Sequence, residues 1–528
     1  MKIALILCPH MSLGVPPTNL AALKSYLQRE GHEVRAWDLN FEFYQRDQGP
    51  HRDFIWNEHA FHLWGKPAFD EAFLSRFSDE WAETAARILD WKPDIAGLSV
   101  NRWSAGISAH LSSRLKRKRP DLKIIWGGWD CYEMDGRPQE HIRQPWLDAV
   151  CVTEGEVPLA AYARALRAAP DRPAACPGLF LKGKDGVIVP PSGESAAAVL
   201  DDLPFLDYSS FNPNDYPRPY MLGLNASRGC VRRCKFCEIP LMMEGFRHMS
   251  GKRMWDEIEH QVRHFRRPFV FNFYDAMING DLAELESFCD RMIAGRLALS
   301  MDHYGSAIGQ GQSFFPVTWM SYCMFERRMS RSLFAKMAQS GCCRASFGLE
   351  SAAPHVLRDM RKGFLVEHAH EALTWAGQVR LPVHLNVIVG WPSETRDDME
   401  TTLRFLKEHR GTIGAVTLTL TTLAGPMRES CAEVADLEGA HSTYWATIDG
   451  ANNFPERLFR MRYMKDAIQA MGIDCFLKGG THTDAGFKVF EAEYRDYREG
   501  RVPQDRFLAA AQNAVAGAAP CLEAGAGA

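Results

Sequence analysis

The run SRGCVRRCKFCEIP sets Cys230, Cys234 and Cys237 at C-x3-C-x2-C spacing. Three thiolates on one short loop are soft ligands suited to iron–sulfur or to zinc. Zinc sites usually pair C-x2-C with a second pair some distance away. The chain offers no second pair at suitable spacing, because Cys342 and Cys343 are adjacent. Three ligands to a four-iron cluster leave one iron open, and an open iron can bind a small molecule through hard donors. Most of the other cysteines, of 14 in all, are scattered singly. They read as small buried apolar residues of a reduced compartment, not as a disulfide framework.

Such a loop needs a scaffold, and the chain is long enough to supply one. Its 528 residues carry a prior of about three domains. Lys+Arg is 61 and Asp+Glu is 65, a net charge of −4, so no basic excess points to nucleic acid. The apolar fraction of 46% and charged fraction of 24% are ordinary for a globular protein and exclude disorder or collagen as the main class. No apolar run reaches the 18 residues of a membrane span. The start, Met1 to Cys8, stops at Pro9-His10 without a cleavage site and reads as a first strand. A cytoplasmic protein is expected.

Residues 1–165 alternate strand and helix patterns. Strands are expected at Lys2–Cys8, Glu33–Leu39, Pro93–Val100, Lys123–Trp126 and Leu147–Val152, with helices at Asn19–Gly31 and Ala105–Arg119. That is a doubly wound α/β pattern, whose ligands bind beyond the carboxyl ends of the strands. Those ends carry Pro9–Thr18, Asn101–Ser104, Gly127–Asp130 and Thr153–Glu156. Residues 166–219 are dense in Pro and Gly and read as a linker with a hairpin around Lys182–Gly186. Alternation then resumes over residues 220–425, with strands at Arg267–Tyr274, Trp319–Glu326, Cys343–Gly348 and Val383–Val389, as a partial β/α barrel requires. Residues 426–528 read as a small helical cap, with Phe454, Leu458, Met461, Met464 and Ile468 at helical spacing, and an Ala/Gly-rich tail. His303, Tyr304 and Gln312, on a long polar loop, and the aromatics Trp391, Tyr444 and Trp445 are candidates to face substrate.

The cysteine run, with Phe236 before the third cysteine, resembles the loop of the radical SAM superfamily. The resemblance implies a [4Fe-4S] cluster on Cys230, Cys234 and Cys237. Its open iron would chelate S-adenosyl-L-methionine (SAM), and an electron from the cluster would cleave SAM to a 5′-deoxyadenosyl radical. Arg232 and Arg233 read as loop charge. The passages FGLES, LRDMRKG and GWPSET resemble later barrel motifs of the cobalamin-dependent members of that superfamily. By that resemblance Glu350 and Ser351 contact the SAM ribose or methionine end, and Asp275 lies near its amino group. As barrel features alone, Glu350 is a rim ion pair and Gly390–Glu394 a strand-to-helix turn.

The N-terminal passages REGHEVRAWDLN, PDIAGLSVN, PDLKIIWGGWD and LDAVCVTEGE resemble, in the same order, the cobalamin-binding domain of such enzymes. A flavodoxin-like domain without ligand is the alternative. The resemblance implies a cobalamin site rimmed by Asn101, Arg102, Trp103, Gly127, Gly128 and Glu154. No Asp-x-His-x-x-Gly occurs, so cobalt without a protein histidine is expected; Arg102 and Trp103 either cover its lower face or are helix-entry residues. The implied fold is an α/β chain with a Rossmann-like, doubly wound parallel sheet, a partial (β/α)6 radical SAM barrel and a helical C-terminal region. The implied activity is methyl transfer from SAM, via methylcobalamin, to an unactivated carbon of a small-molecule substrate. The electron would come from an external donor such as flavodoxin or ferredoxin, with no nucleic-acid or membrane partner. Ring formation or rearrangement on the same scaffold is the alternative chemistry, and a non-catalytic iron–sulfur or cobalamin sensor the alternative class.

Overall fold

The computed structural model of the chain describes residues 1–50, 52–56, 63–132, 137–170, 175–183, 185–193, 197–243, 245–303, 316–423, 427, 431, 434–435, 445–478 and 495. Tyr304, Gln312, Tyr444 and the Ala/Gly-rich tail lie outside the described residues. The chain divides into two compact units, one running to Pro219 and the other from Tyr220 to Glu499.

The first unit is built on β1 (Lys2–Leu7), β2 (Glu33–Asp38), β3 (Ile95–Ser99), β4 (Lys123–Gly127), β5 (Ala149–Cys151), β6 (Leu179–Lys182) and β7 (Ile188–Val189). Their order is β2-β1-β3-β4-β5-β6-β7, the first five parallel and the last two antiparallel. The sequence KIALIL of β1 is buried along its length because helices cover both faces of a parallel sheet. The order 2-1-3-4-5 is flavodoxin-like and puts the topological switch point between β1 and β3. The expected hairpin forms, but it is not free-standing, because β6 pairs with β5 and extends the sheet.

The rest of the connector is also tied to the first unit. Lys24 reaches Ser209 at 2.6 Å and Asp207 at 3.1 Å. Tyr208 donates to Thr18 at 3.1 Å, and Tyr216 donates to Asp38 at 2.8 Å while stacking on Phe41 at 4.1 Å. Buried tyrosines with satisfied hydroxyls anchor a segment that its Pro content alone marks as a linker.

Between β2 and β3 the chain forms helices at Leu39–Arg46, Pro67–Arg76 and Ser78–Asp90. Phe69, Phe73, Phe77 and Trp81, four residues apart, enter a core with Phe43, Trp56, Trp64 and Trp126.

The second unit contains β8 (Met221–Leu224), β9 (Ser227–Gly229), β10 (Phe246–His248), β11 (Val270–Phe273), β12 (Thr318–Cys323), β13 (Cys342–Glu350), β14 (Val383–Val389), β15 (Ile413–Leu420), β16 (Val434–Ala435), β17 (Ala446–Thr447) and β18 (Asp474–Leu477). Its main sheet has the order β18-β15-β14-β13-β12-β11-β8, all parallel. Six strands are the expected barrel. The seventh, β18, lies where a helical cap is expected. It pairs with β15, from Ala415↔Asp474 to Leu418↔Leu477, and satisfies an edge that six strands would leave open. The helix Phe454–Ala470 before it forms as the spacing predicts. Among the described residues, no helix is long and apolar enough to cross a membrane.

Candidate functional site

The cysteine loop leaves the carboxyl end of β8 through β9, on the rim where barrel sites form. Two features of the sequence set its entry. Gly229 has φ +77°, and a Cβ there would overlap the carbonyl of Gly245 on the returning chain. Asp275, at the end of β11, accepts from the amides of Ala226 (3.1 Å) and Ser227 and from the Ser227 hydroxyl (2.7 Å). Burial pushes its carboxyl up to about 6 against those hydrogen bonds. Asp275 is expected near the SAM amino group; in the structure its oxygens hold the strand that delivers Cys230.

The loop itself is braced from three sides. Lys235 donates to Asp359 at 2.6 Å, and its amide bonds to the carbonyl of Met360 at 3.0 Å. The other oxygen of Asp359 accepts from the Trp391 indole (2.7 Å) and the Ser393 hydroxyl (2.9 Å). Arg232, expected as loop charge, pairs with Glu326 at 3.1 Å. Phe236 meets Trp391 edge-on at 6.2 Å. Asp359 thus joins the cysteine loop to the GWPSET turn, a node that sequence reading passes over because Asp359 and its partners come from three separate parts of the chain.

The three thiols are half-buried, and burial raises the pKa of each against the opposing charge of Lys362, joined at Cys230 and Cys234 by Arg232. A tetrahedral ion with Zn–S bonds of about 2.3 Å requires sulfurs about 3.8 Å apart. Among the described residues, the set of three ligands whose donor atoms all lie within 4.8 Å is His370, Glu408 and His409, not the cysteines. Three soft thiolates on one loop are a donor set that suits an iron–sulfur cluster with one iron left open.

Glu350 closes β13 with φ +64°, after a shift of register between Gly348 and Glu350. Its Oε1 accepts from Lys362 at 2.6 Å, and the same ammonium lies 5.3 Å over the Phe236 ring. Lys362 is buried; burial works against its charge, and Glu350 with the nearby thiols more than offsets this and raises its pKa. Glu350 therefore stands beside the cluster loop. Ser351 does not stand open to a ligand: it is fully buried, and its hydroxyl accepts from the Ala353 amide at 3.1 Å and meets Thr402 at 3.4 Å. At the end of β14, Gly390 has φ +79° and donates to Glu394 at 2.6 Å. Asn452 holds the carbonyls of Gly390 and Trp391 at 3.2 and 2.7 Å. Trp445 donates to Thr421 at 3.1 Å, so Trp391 and Trp445 are fully buried braces of this turn.

Register defines the inner face of the sheet. Trp319, Ala345 and Phe347 pack outward on the helices, so Tyr322, Ser346, His384 and Asn386 face inward. His384 bonds Thr417 at 2.7 Å, and burial with the Arg344 charge lowers its pKa to about 4. This polar inner wall contrasts with the apolar layers of a closed barrel. His303 ends the helix Leu282–Asp302 as its cap, bonding the carbonyl of Ser300 at 3.3 Å.

In the first unit the expected rim residues lie at the carboxyl ends of β3, β4 and β5. Asn101 accepts from the amides of Trp103 (2.9 Å) and Ser104 (3.0 Å) and donates to the carbonyl of His10 at 3.1 Å, tying the loops after β1 and β3. Arg102 is exposed, and Trp103 packs partly against the core. Gly127 ends β4 half-buried, and Gly128 has φ +103°, with Val100 O 2.7 Å from where a Cβ would stand. Glu154 follows β5, half-buried. Two polar residues add to this rim: Asn19 and Ser99 bond each other at 2.8 Å.

A flavodoxin-ordered sheet followed by a parallel partial barrel with a three-cysteine loop at its first strand defines a protein built like cobalamin-type radical SAM enzymes. Residues 224–406 match the radical SAM superfamily, and the chain carries that domain. The cytidylyl-2-hydroxyethylphosphonate methyltransferase of Streptomyces wedmorensis is 22% identical over 507 residues, 87% of this chain and 82% of that one. The radical S-adenosylmethionine methyltransferase TsrM of Kitasatospora setae, solved with cobalamin and a [4Fe-4S] cluster, superposes with TM-score 0.61 at 15% identity over 94% of this chain and 99% of that one. The cobalamin-dependent S-adenosylmethionine radical enzyme OxsB superposes with TM-score 0.57 at 16% identity over 77% of this chain; the match spans about half of OxsB, 52%.

Proposed function

We propose that the chain is a cobalamin-dependent radical SAM methyltransferase that moves a methyl group from SAM to an unactivated carbon of a small molecule. The observation that carries this reading is the three-thiol loop at the carboxyl end of the first barrel strand, in a chain whose other unit is a flavodoxin-ordered sheet. When bound, the cluster supplies the electron that cleaves SAM and the corrin supplies the carrier of the methyl group.

The chain's own residues would divide the work. Cys230, Cys234 and Cys237 would hold the cluster; Asp275, through Ala226 and Ser227, fixes where their loop begins. Asp359 and Glu326 hold two of the loop's cations, Lys235 and Arg232, and so limit its movement when charge on the cluster changes. Glu350 is placed to accept from a ribose hydroxyl or an ammonium of SAM. The buried Trp391 and Trp445 exclude water beneath the GWPSET turn. In the other unit, Asn101, Gly127 and Gly128 form a rim on which a flat macrocycle can approach backbone closely. The substrate would lie along the polar inner wall that includes His384 and Asn386. The electron would come from a flavodoxin or ferredoxin, in a cytoplasmic setting that keeps thiols reduced.

The test is anaerobic reconstitution with iron, sulfide and cobalamin, followed by SAM and a strong reductant. Corrin absorption together with 5′-deoxyadenosine and S-adenosylhomocysteine is the expected result, lost in Cys234→Ala. 5′-Deoxyadenosine alone, from a cobalamin-loaded enzyme with turning-over substrate, would favour ring formation or rearrangement. No SAM-derived product would overturn the enzymatic reading.

A further inference from the structure

His370 lies on the helix Val366–Gln378, which leads into β14. Glu408 ends the helix Arg396–Glu408, which leaves β14, and His409 caps it. The three converge: His370 Nδ1 is 2.8 Å from His409 Nε2 and 3.6 Å from Glu408 Oε1. Two ring nitrogens at 2.8 Å share one proton, one donating and one accepting. The second lone pair that a metal needs is therefore already aimed at the same point, with a hydrogen standing between.

Three surroundings favour a cation there. Phe405 packs on both imidazoles, at 4.6 and 5.0 Å, and restrains their planes. The carboxyl end of the helix Arg396–Glu408 adds partial negative charge. Glu408 is 63% exposed, which leaves room for water to complete the shell.

We propose that His370, His409 and Glu408 form a divalent transition-metal site, distinct from the cysteine loop, for a borderline ion of the zinc type. The ion forms two bonds to nitrogen and one to the carboxylate; the shared N–H bond breaks and its proton moves to the other nitrogen of the ring that held it, so each ring ligates as a neutral imidazole. Bonds of about 2.0–2.1 Å at a tetrahedral centre set the nitrogens about 3.3 Å apart, a small movement for the half-exposed His370. The ion staples the two helices that flank β14, the strand that carries Gly390.

The test uses the full chain with its cluster assembled, titrated with Zn2+ against a colorimetric chelator. One ion per chain and a thermal midpoint raised by Zn2+ are expected. Binding should weaken about tenfold or more in His370→Ala and by less in Glu408→Gln, both at half-exposed or exposed positions. Iron content reports that each variant is folded. Equal Zn2+ binding in a folded His370→Ala chain would show an adventitious ion only and overturn the site. No binding below millimolar Zn2+ in the parent chain would overturn it too.

Discussion

The ammonium of Lys362 sits 2.6 Å from the Oε1 of Glu350, and both side chains are buried beside the cysteine loop. A Cβ at Gly348 would stand 2.7 Å from that ammonium, so the strand leaves room for it by carrying glycine. Removing one member of a buried pair strands the other's charge, at a cost of about 3–5 kcal/mol. Lys362→Met is therefore expected to lower the thermal midpoint strongly and to reduce iron retained after reconstitution. The double variant Lys362→Met, Glu350→Gln should recover much of the midpoint but not SAM cleavage. Calorimetry and product assays separate the two effects, and an unchanged midpoint in the single variant would refute the pairing.

Asp359 makes a second prediction. Burial works against its charge, but Lys235, Trp391 and Ser393 together hold the carboxyl below its usual range. Asp359→Asn keeps a carbonyl for Trp391 or Ser393 and loses the ion pair; Asp359→Ala loses all three partners. Iron retained per chain should fall in the order parent, Asn, Ala. Equal iron content in all three would mean that the node does not hold the cysteine loop.

Much of this arrangement was legible in the sequence, and the exceptions have physical causes. The cysteine spacing, the strand runs and the turn glycines are local signals, and they marked the loop and both sheets. Phe69, Phe73, Phe77 and Trp81 also carry a local signal, a four-residue repeat for helices packed on one core, which a strand-first reading passes over. Asp275 and Ser351 are marked by the resemblance to the radical SAM barrel, but only the fold shows which groups their oxygens bond, Ala226 and Ser227 for the one and Ala353 and Thr402 for the other. The short run DCFL has no period to read; β18 forms because β15 offers an edge. The inward aim of His384 depends on register across three strands, which no single window contains.

His384 gives a pH prediction. Its pKa falls from 6.5 to about 4 on folding because burial and Arg344 disfavour the charged ring. Between those values the unfolded chain binds a proton that the folded chain does not, so stability from this group declines as pH falls from 6.5 towards 4. Acidic groups elsewhere titrate in the same range, so the informative quantity is a difference. The parent should lose stability across that window more steeply than His384→Gln, measured by denaturant unfolding at stepped pH. Parallel profiles would show that the ring is not held neutral.

Gly128 tests the first unit on its own. Its φ of +103° is a region that side chains avoid, and a Cβ there would stand 2.7 Å from the carbonyl of Val100. That carbonyl also accepts from the amide of Asp130 at 3.2 Å, and the next residue, Asn101, ties the rim to His10 at 3.1 Å. Gly128→Ala therefore strains the turn by about 1–2 kcal/mol and pushes the loop after β3 out of place. The cysteines sit in the other unit, and the bonds that brace their loop come from within that unit. The expected result is a split: cobalamin retained per chain, read from corrin absorption after desalting, falls several-fold, while iron content stays at the parent level. If both fall together the variant has simply unfolded, and the milder Asn101→Ser, which keeps a hydroxyl for the Ser104 amide but loses the bond to His10, carries the same test. Full cobalamin retention in both variants would place the corrin somewhere other than the β1/β3 switch point.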